Sequence, residues 1–234
     1  MLIAGFGLVC TLVGGGVIAK AISNSNQNIL NKQYVTNLWR NLPAETLFPA
    51  TIGMWDPQRR DQSGSKGWTR AALSSETSCG KALAGTLAEE AAERGCMAAM
   101  RASYVNDSGG TAATVVIIAF GKPDADNDLD AILDQAQHDK RDYGIRVLAA
   151  PGTKWTNSAR AGSGAYSVQV PNAQLFVAAT AGPVDGRRPG KIPQPWGDRD
   201  GDDNADRAPW AKASDGLSES ISAHLAAQID KARP

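Results

Sequence analysis

The stretch that most constrains the fold is residues 96–120, where two strand patterns flank a turn pattern. Val115 to Phe120 is the most hydrophobic run outside the N-terminus, and its β-branched residues favour a buried, pleated surface. The first strand has the period of a half-buried surface, with Met100, Ala102 and Tyr104 alternating with Arg101, Ser103 and Val105. Residues 106–110, Asn-Asp-Ser-Gly-Gly, favour a reversal between the two strands. The sequence therefore predicts a β-hairpin whose second strand is central in a sheet.

Composition favours one globular domain with appendages. The chain has 234 residues, of which 42% are hydrophobic and 21% charged, enough for one well-buried core. Basic and acidic residues balance at 24 each, and no basic run with interleaved aromatic residues occurs. The composition therefore argues against nucleic-acid binding.

Residues 1–19 contain no charged residue and just reach the length that crosses a bilayer. Their three consecutive glycines, residues 14–16, suit a membrane helix better than a soluble one. Small residues at Ala19 and Ala21 would permit cleavage after Ala21, but no Lys or Arg precedes the apolar segment, as a signal peptide would require. We therefore expect residues 1–22 to be a transmembrane anchor or uncleaved signal that contacts membrane lipid through residues 1–19.

The domain itself is expected over residues 34–234, after a polar spacer at residues 23–33. Val35, Leu38 and Trp39 share one face of a short helix that Pro43 ends. Residues 56–66 are charged and rich in turn formers, which predicts a loop, and residues 67–73 are predicted to be the first edge strand.

The next elements predict the topology of the sheet. Residues 79–95 form a helix pattern with one apolar face and a terminating Gly95, and Asp128 to Lys140 form a second amphipathic helix. Ile145 to Ala150 has a strand pattern. From residue 67 the predicted order is β-α-β-β-α-β, which is the order of a ferredoxin-like sheet with both helices on one face.

Three further segments complete the predicted fold. Residues 165–170 and 174–180 predict another hairpin, and the Pro, Gly and Asp-rich residues 182–209 predict a long surface loop. Residues 213–232 predict a final helix whose apolar residues recur every four positions, at Leu217, Ile221, Leu225 and Ile229. The predicted class is α+β: an N-terminal transmembrane helix, a ferredoxin-like antiparallel sheet with an added hairpin, covering helices and a C-terminal helix.

Cys79 and Cys96 are predicted to form a disulfide, the usual state of two cysteines in a small exported domain. A straight helix over residues 79–94 would separate its ends by about 24 Å, whereas bridged Cα atoms lie within about 7 Å. Either the helix therefore begins later, near Gly85, with residues 79–84 folded back, or the two cysteines do not pair. A metal site or catalytic thiol lacks helpers, since His138 and His224 lie in no metal-binding motif.

The acidic run that starts at Asp198 is the one motif with a metal-binding mechanism. Carboxylates at Asp198, Asp200, Asp202 and Asp206 have a spacing that resembles the calcium loops of EF-hand and thrombospondin type 3 repeats. The pattern departs from those loops because the turn glycine falls on Asp203 and the terminal bidentate Glu on Pro209. A solvated acidic loop is the alternative interpretation.

No catalytic residue is assigned. Gly162-Ser163-Gly164 is too short for a nucleophile elbow, and Glu89 and Glu90 diverge on a helix. The six tryptophans are expected mainly in core and loop-anchoring roles.

The chain resembles uncharacterised, membrane-anchored extracytoplasmic proteins of high-GC actinobacteria. The resemblance rests on the apolar N-terminus, on residues 42–49 (Leu-Pro-Ala-Glu-Thr-Leu-Phe-Pro), on Gly95-Cys96, and on the Arg-Ala-x-Tyr-Val strand at residues 101–105. It covers nearly the whole chain from residue 34. It implies a domain that faces outside the cytoplasm and implies no activity.

Two functions from different classes follow. The first is a non-enzymatic, membrane-tethered extracytoplasmic domain that binds a ligand or a partner protein in the cell envelope, with calcium as the one candidate cofactor. The second is a cell-envelope hydrolase with a scattered site, and a calcium-dependent interaction module is a further alternative. The sequence favours the first.

Overall fold

The computed structural model describes residues 37–56, 61–122, 125–138, 144–168, 173–187 and 208–232. Residues Lys32–Lys231 form one compact unit. Within the described ranges, no helix combines the length and the apolar composition that a bilayer crossing requires. The predicted anchor at residues 1–22 and the spacer at residues 23–33 lie outside these ranges.

The described elements give a mixed α+β fold with one antiparallel sheet and a long C-terminal helix. The helices are α1 (Leu38–Asn41), α2 (Ala44–Leu47), α3 (Cys79–Ala82), α4 (Gly85–Glu93), α5 (Leu129–His138) and α6 (Ala208–Ala232). The strands are β1 (Thr51–Asp56), β2 (Asp61–Leu73), β3 (Cys96–Asn106), β4 (Thr111–Phe120), β5 (Gly162–Ser167) and β6 (Leu175–Pro183).

The six strands pair in the order β1-β2-β3-β4-β6-β5, and every pair is antiparallel. Strand β4 lies between β3 and β6, with Val115 opposite Ala102 on one side and Ala179 on the other. The predicted hairpin over residues 96–120 and its central second strand are therefore confirmed. The hairpin predicted near residues 165–180 is also confirmed, because β5 pairs with β6.

One face of the sheet packs against α6, α1 and α2. The four residues predicted to dock the final helix, Leu217, Ile221, Leu225 and Ile229, are all fully buried. They share a core with residues of alternate strand positions: Met100, Ala102, Tyr104, Ala113, Val115, Ile117, Val177 and Ala179. The helix begins at Ala208, five residues earlier than predicted.

The opposite face of the sheet is also covered. Its core is formed by side chains of β3, β4 and β6 and by the helices α3, α4 and α5: Ala99, Val116, Ile118, Phe120, Phe176, Leu83, Leu87, Leu129 and Leu133. Both faces of β4 are therefore buried, which explains why its sequence is apolar without alternation.

The ferredoxin-like order is wrong. Residues 67–73 pair directly with β3, with Arg70 opposite Tyr104, so no strand lies between them as a ferredoxin-like crossover requires. Residues 145–150 are not a strand; they make one isolated bridge, between Leu83 and Ile145. The physical reason is that this segment lies across the face of the sheet, where side chains of β3 and β4 bond its backbone.

Two boundaries near the start of the domain also differ from the prediction. Residues 61–66 belong to β2 and are not loop, and the edge strand is β1, which was not predicted. The predicted first helix is confirmed at Leu38, which is buried, and a second short helix, α2, follows Pro43. Of the long loop predicted at residues 182–209, residues 188–207 lie outside the described ranges.

Candidate functional site

A disulfide bond joins Cys79 at the start of α3 to Cys96 at the start of β3, with their Cα atoms 6.5 Å apart. The helical stretch between them is interrupted, as the bridge required: α3 ends at Ala82 and α4 begins at Gly85. Ala84 is extended, with φ −152° and ψ 176°. The predicted pairing and the displaced helix start are both confirmed.

Residues 144–150, here called the crossing segment, lie across the sheet. Their backbone bonds the helix backbone at the interruption. The Ala84 amide donates to the carbonyl of Gly144, and the Arg146 amide donates to the carbonyl of Ala82 at 2.9 Å. Gly144 has φ +80°, and a Cβ there would lie 1.4 Å from the Ala84 oxygen, so only glycine fits. The Ala84 amide and the Ala82 carbonyl thus bond the crossing segment, whereas the Leu83 amide keeps its helical bond to the Cys79 carbonyl.

Three polar side chains on the covered face of β3 and β4 hold the crossing segment: Arg101, Ser103 and Thr114, here called the polar cluster. Arg101 Nη1 donates to the carbonyl of Arg146 at 2.8 Å, and the Ser103 hydroxyl donates to the carbonyl of Leu148. Thr114 Oγ1 accepts from the Leu148 amide at 3.1 Å. Backbone groups that leave water need hydrogen-bond partners. The polar cluster supplies these partners to the crossing segment, in place of the neighbouring strand that a strand would have.

Thr114 also connects the polar cluster to a buried tryptophan. Trp155 Nε1 donates to Thr114 Oγ1 at 2.9 Å, and Trp155 packs with Ala112, Ala150 and Ala159. This is the core and loop-anchoring role expected for tryptophan.

The Arg101 guanidinium is unusual because it is buried without a carboxylate bonded to it among the described residues. The residue is 9% exposed, and its Nε has no hydrogen-bond partner. Burial lowers the pKa of Arg101, and the positive charge of Arg146 acts in the same direction, whereas Glu76 opposes them. A buried charge normally has an ion-pair partner, so Arg101 marks the candidate site.

Glu76 is near Arg101 but is engaged elsewhere. Its Oε1 accepts from the Ser78 amide at 2.9 Å, and its Oε2 forms an ion pair with Lys81 Nζ at 2.9 Å. The hydrogen bond from Lys81 is the largest cause of the lowered pKa of Glu76. The neighbouring Arg146 is exposed and donates from Nε to the Leu83 carbonyl at 3.0 Å. The Arg101 guanidinium therefore lies near a second guanidinium, that of Arg146, and near the Glu76 carboxylate, which is bonded to other groups.

A second group of titratable residues lies where α6 meets the edge strand β5. Burial, and then the charge of Asp215 one turn away, raise the pKa of Glu219. Burial also raises the pKa of Tyr166, and three carboxylates add to the effect: Glu219, Asp215 and Asp130. Carboxyl groups with raised pKa values occur in acid–base sites, which keeps the hydrolase hypothesis open.

The other predicted site residues are not brought together in the described ranges. Asp198, Asp200, Asp202 and Asp206 lie outside them, so the calcium hypothesis stays a prediction. No group of three or more His, Cys, Asp or Glu side chains in the described part of the chain is placed to hold a metal ion.

Of the two histidines, one has a described side chain. His224 Nε2 lies 2.7 Å from the carbonyl oxygen of Thr46, which ties α6 to α2. This position is structural, and it does not join His224 to a nucleophile.

Sequence reasoning missed Arg101 as a site residue. The alternation on β3 indicated a half-buried strand, in which Arg101 and Ser103 would face solvent. The signal that contradicts this is the unbroken apolar run of β4 at residues 115–120. A strand buried on both faces requires that its neighbour be covered on both faces too.

Comparisons of the chain with protein-family models, with curated proteins and with solved structures gave no match.

Proposed function

We propose that the chain is a membrane-tethered domain that works outside the cytoplasm and binds a ligand or partner in the cell envelope without catalysing a reaction. The observation that carries this proposal is the bond between Cys79 and Cys96. Structural disulfides persist in oxidising compartments and are rare in the cytosol. The apolar, uncharged residues 1–19 would supply the tether, as in the anchored proteins that the sequence resembles.

Binding is favoured over catalysis by how the polar side chains of the site are used. In the polar cluster, Ser103 and Thr114 bond the backbone of the crossing segment, so their hydroxyls have structural partners. Among the described side chains, His224 bonds a backbone carbonyl, so it is not in place to activate a hydroxyl or a thiol. The Arg101 guanidinium keeps free donors, which suits recognition.

The location is tested by protease treatment of intact cells that express the full chain with a C-terminal tag. We expect the tag and the domain to be digested without cell lysis, and the Cys79 and Cys96 thiols to resist alkylation in protein prepared without reductant. A Cys79→Ser/Cys96→Ser variant provides the control for the alkylation. A protected domain, or two freely alkylated thiols, would contradict the proposal.

Binding is tested by photo-crosslinking in the same cells. A photoreactive amino acid at Ala149, which is exposed on the crossing segment, should give a crosslinked envelope component. The matched control is the same amino acid at Ala227, exposed on α6, which packs on the opposite face of the sheet. Equal adducts at the two positions, or none at Ala149, would count against a binding surface on the side of the sheet that the crossing segment covers.

A calcium-dependent interaction module is a second candidate, favoured by the spacing of Asp198, Asp200, Asp202 and Asp206. Calcium binding would stabilise the folded domain by about 2.7 kcal/mol at a hundredfold excess over Kd. The melting temperature should therefore rise on titration with calcium into the millimolar range, and an Asp200→Asn/Asp202→Asn variant should lose that rise. An unchanged melting temperature in the wild type would rule out this candidate.

A further inference from the structure

We propose that Arg101, assisted by Arg146, binds a carboxylate group of the ligand. This site deepens the binding function proposed above by naming the chemistry that it recognises. It rests on the geometry of one buried guanidinium and on the charges around it.

The first step concerns which donors of the guanidinium the protein uses. Nη1 bonds the Arg146 carbonyl at 2.8 Å, and Nε is buried with no partner. No hydrogen bond or ion pair of the described residues uses Nη2. Nε and Nη2 form one edge of the planar guanidinium, and two parallel N–H groups on one edge match the two oxygens of a carboxylate. The unused edge thus has the donor pattern that binds carboxylates, with Nε buried and Nη2 as the atom that an incoming carboxylate would meet first.

The second step concerns charge. An arginine remains protonated, so the buried Arg101 carries a positive charge whose removal from water is costly without a partner. Both oxygens of the nearby Glu76 are engaged, by the Ser78 amide and by Lys81. Arg146 adds a second positive charge whose side chain is exposed. The positive charges of Arg101, Arg146 and Lys81 therefore outnumber the single negative charge of Glu76, and a ligand carboxylate would supply a further negative charge.

The third step separates this role from simple support of the crossing segment. Ser103 and Thr114 support that segment with neutral hydroxyl groups, and each bonds Leu148. A neutral donor could form the one hydrogen bond to the Arg146 carbonyl, so that bond alone does not explain a buried cation with unused donors. Recognition of an anion explains the arginine, whereas backbone support alone does not.

The test is NMR titration of the full chain, with the disulfide intact, in detergent micelles. The probes are sodium acetate, inorganic phosphate and sodium chloride at matched ionic strength, and the observable is the Nε–H signal of Arg101, assigned by its absence in Arg101→Lys. We expect a saturable shift with acetate, a weaker one with phosphate and none with chloride. The Arg160 Nε–H, bonded to the Asn157 carbonyl at 3.1 Å, is the internal control and should not shift.

A second variant keeps the test decisive if Arg101→Lys does not fold. Arg146→Gln removes the exposed partner charge, and we expect it to weaken acetate binding several-fold while the backbone spectrum stays that of the folded wild type. An Arg101 signal that ignores acetate, or that responds equally to chloride, overturns the proposal. A stronger response to phosphate than to acetate overturns the carboxylate assignment. These readouts are independent of the protease and crosslinking results, so failure of one proposal is distinguishable from failure of the other.

Discussion

Two glycines of strand β5 decide how closely helix α6 approaches the sheet. A Cβ on Gly162 would lie 2.2 Å from the Ala211 amide nitrogen, and one on Gly164 would lie 2.4 Å from the Asp215 amide nitrogen. The close approach lets helix serines reach the strand: Ser214 and Ser218 donate to the carbonyls of Gly162 and Gly164 at 3.0 and 3.1 Å. The helix thus covers a strand at the edge of the sheet, which limits pairing with other chains.

Gly164→Ala should therefore destabilise the domain by about 1–3 kcal/mol, because the helix backbone must move to admit a methyl group. The matched control is Gly80→Ala in α3, where an added Cβ meets nothing within 4 Å. That change should be neutral or stabilise by about 0.4–1 kcal/mol. Urea denaturation of both variants measures the difference, and equal effects would contradict the packing argument.

A prediction about pH follows from the raised pKa of Glu219, which burial causes and Asp215 increases. Because the folded pKa exceeds the unfolded value, ionising Glu219 opposes folding. This cost is absent below the unfolded pKa of about 4.3 and is complete once the pH exceeds the folded value. Glu219→Gln should therefore raise the melting temperature at pH 7 and have little effect near pH 4.

The control for this prediction is Glu89→Gln on α4, which removes an exposed carboxylate. Its effect on the melting temperature should be small, because the side chain that it replaces is exposed. A Glu219→Gln effect that does not depend on pH would show that the variant acts through packing or helix propensity.

At the scale of elements, the strands and helices that were predicted correctly are those whose own sequence pattern determines their structure. The hairpin of β3 and β4 and the apolar stripe of α6 carry their periodicity in the residues themselves, and both were predicted. The crossing segment was not predicted, because Ile145 to Ala150 has the apolar pattern of a strand. The side chains that bond its backbone, those of Arg101, Ser103 and Thr114, are about 30 to 50 residues away in sequence. The candidate site at Arg101 was missed for the same reason, since its burial depends on that segment.

The disulfide joins helix α3, which covers one face of the sheet, to strand β3 of the sheet. Cys79 and Cys96 are 17 residues apart, and closing a loop of that size stabilises a fold by about 3 kcal/mol in the chain-entropy model. Cys79→Ser/Cys96→Ser should lower the free energy of unfolding by about that amount. Dithiothreitol should reproduce the loss in the wild type and leave the variant unchanged; no loss in either case would show that the helix break at residues 83–84 supports itself.

At the scale of the whole molecule, the described residues pack two large cores on opposite faces of one sheet, beside a smaller buried cluster around Trp155. Strands β3, β4 and β6 contribute to both, through residues such as Met100 and Ala99 that are adjacent in sequence and face opposite ways. Loss of packing on one face therefore weakens the strands that the other face needs. We expect residues 32–231 to unfold in a single cooperative transition, in keeping with the one compact unit that they form.

The last prediction concerns where that cooperative unit begins. A fragment of residues 32–234, folded under oxidising conditions, should show the same two-state unfolding by circular dichroism and tryptophan fluorescence as the full chain. A fragment that begins at Ala50 should be several kcal/mol less stable, because it lacks the fully buried Leu38, Leu47 and Phe48, each worth about 1.5–3 kcal/mol of burial. It also removes the carbonyls of Pro49 and Thr46 that the Tyr104 hydroxyl and the His224 ring contact. Equal stability of the two fragments would show that α1 and α2 are peripheral, and that the sheet and α6 fold without them.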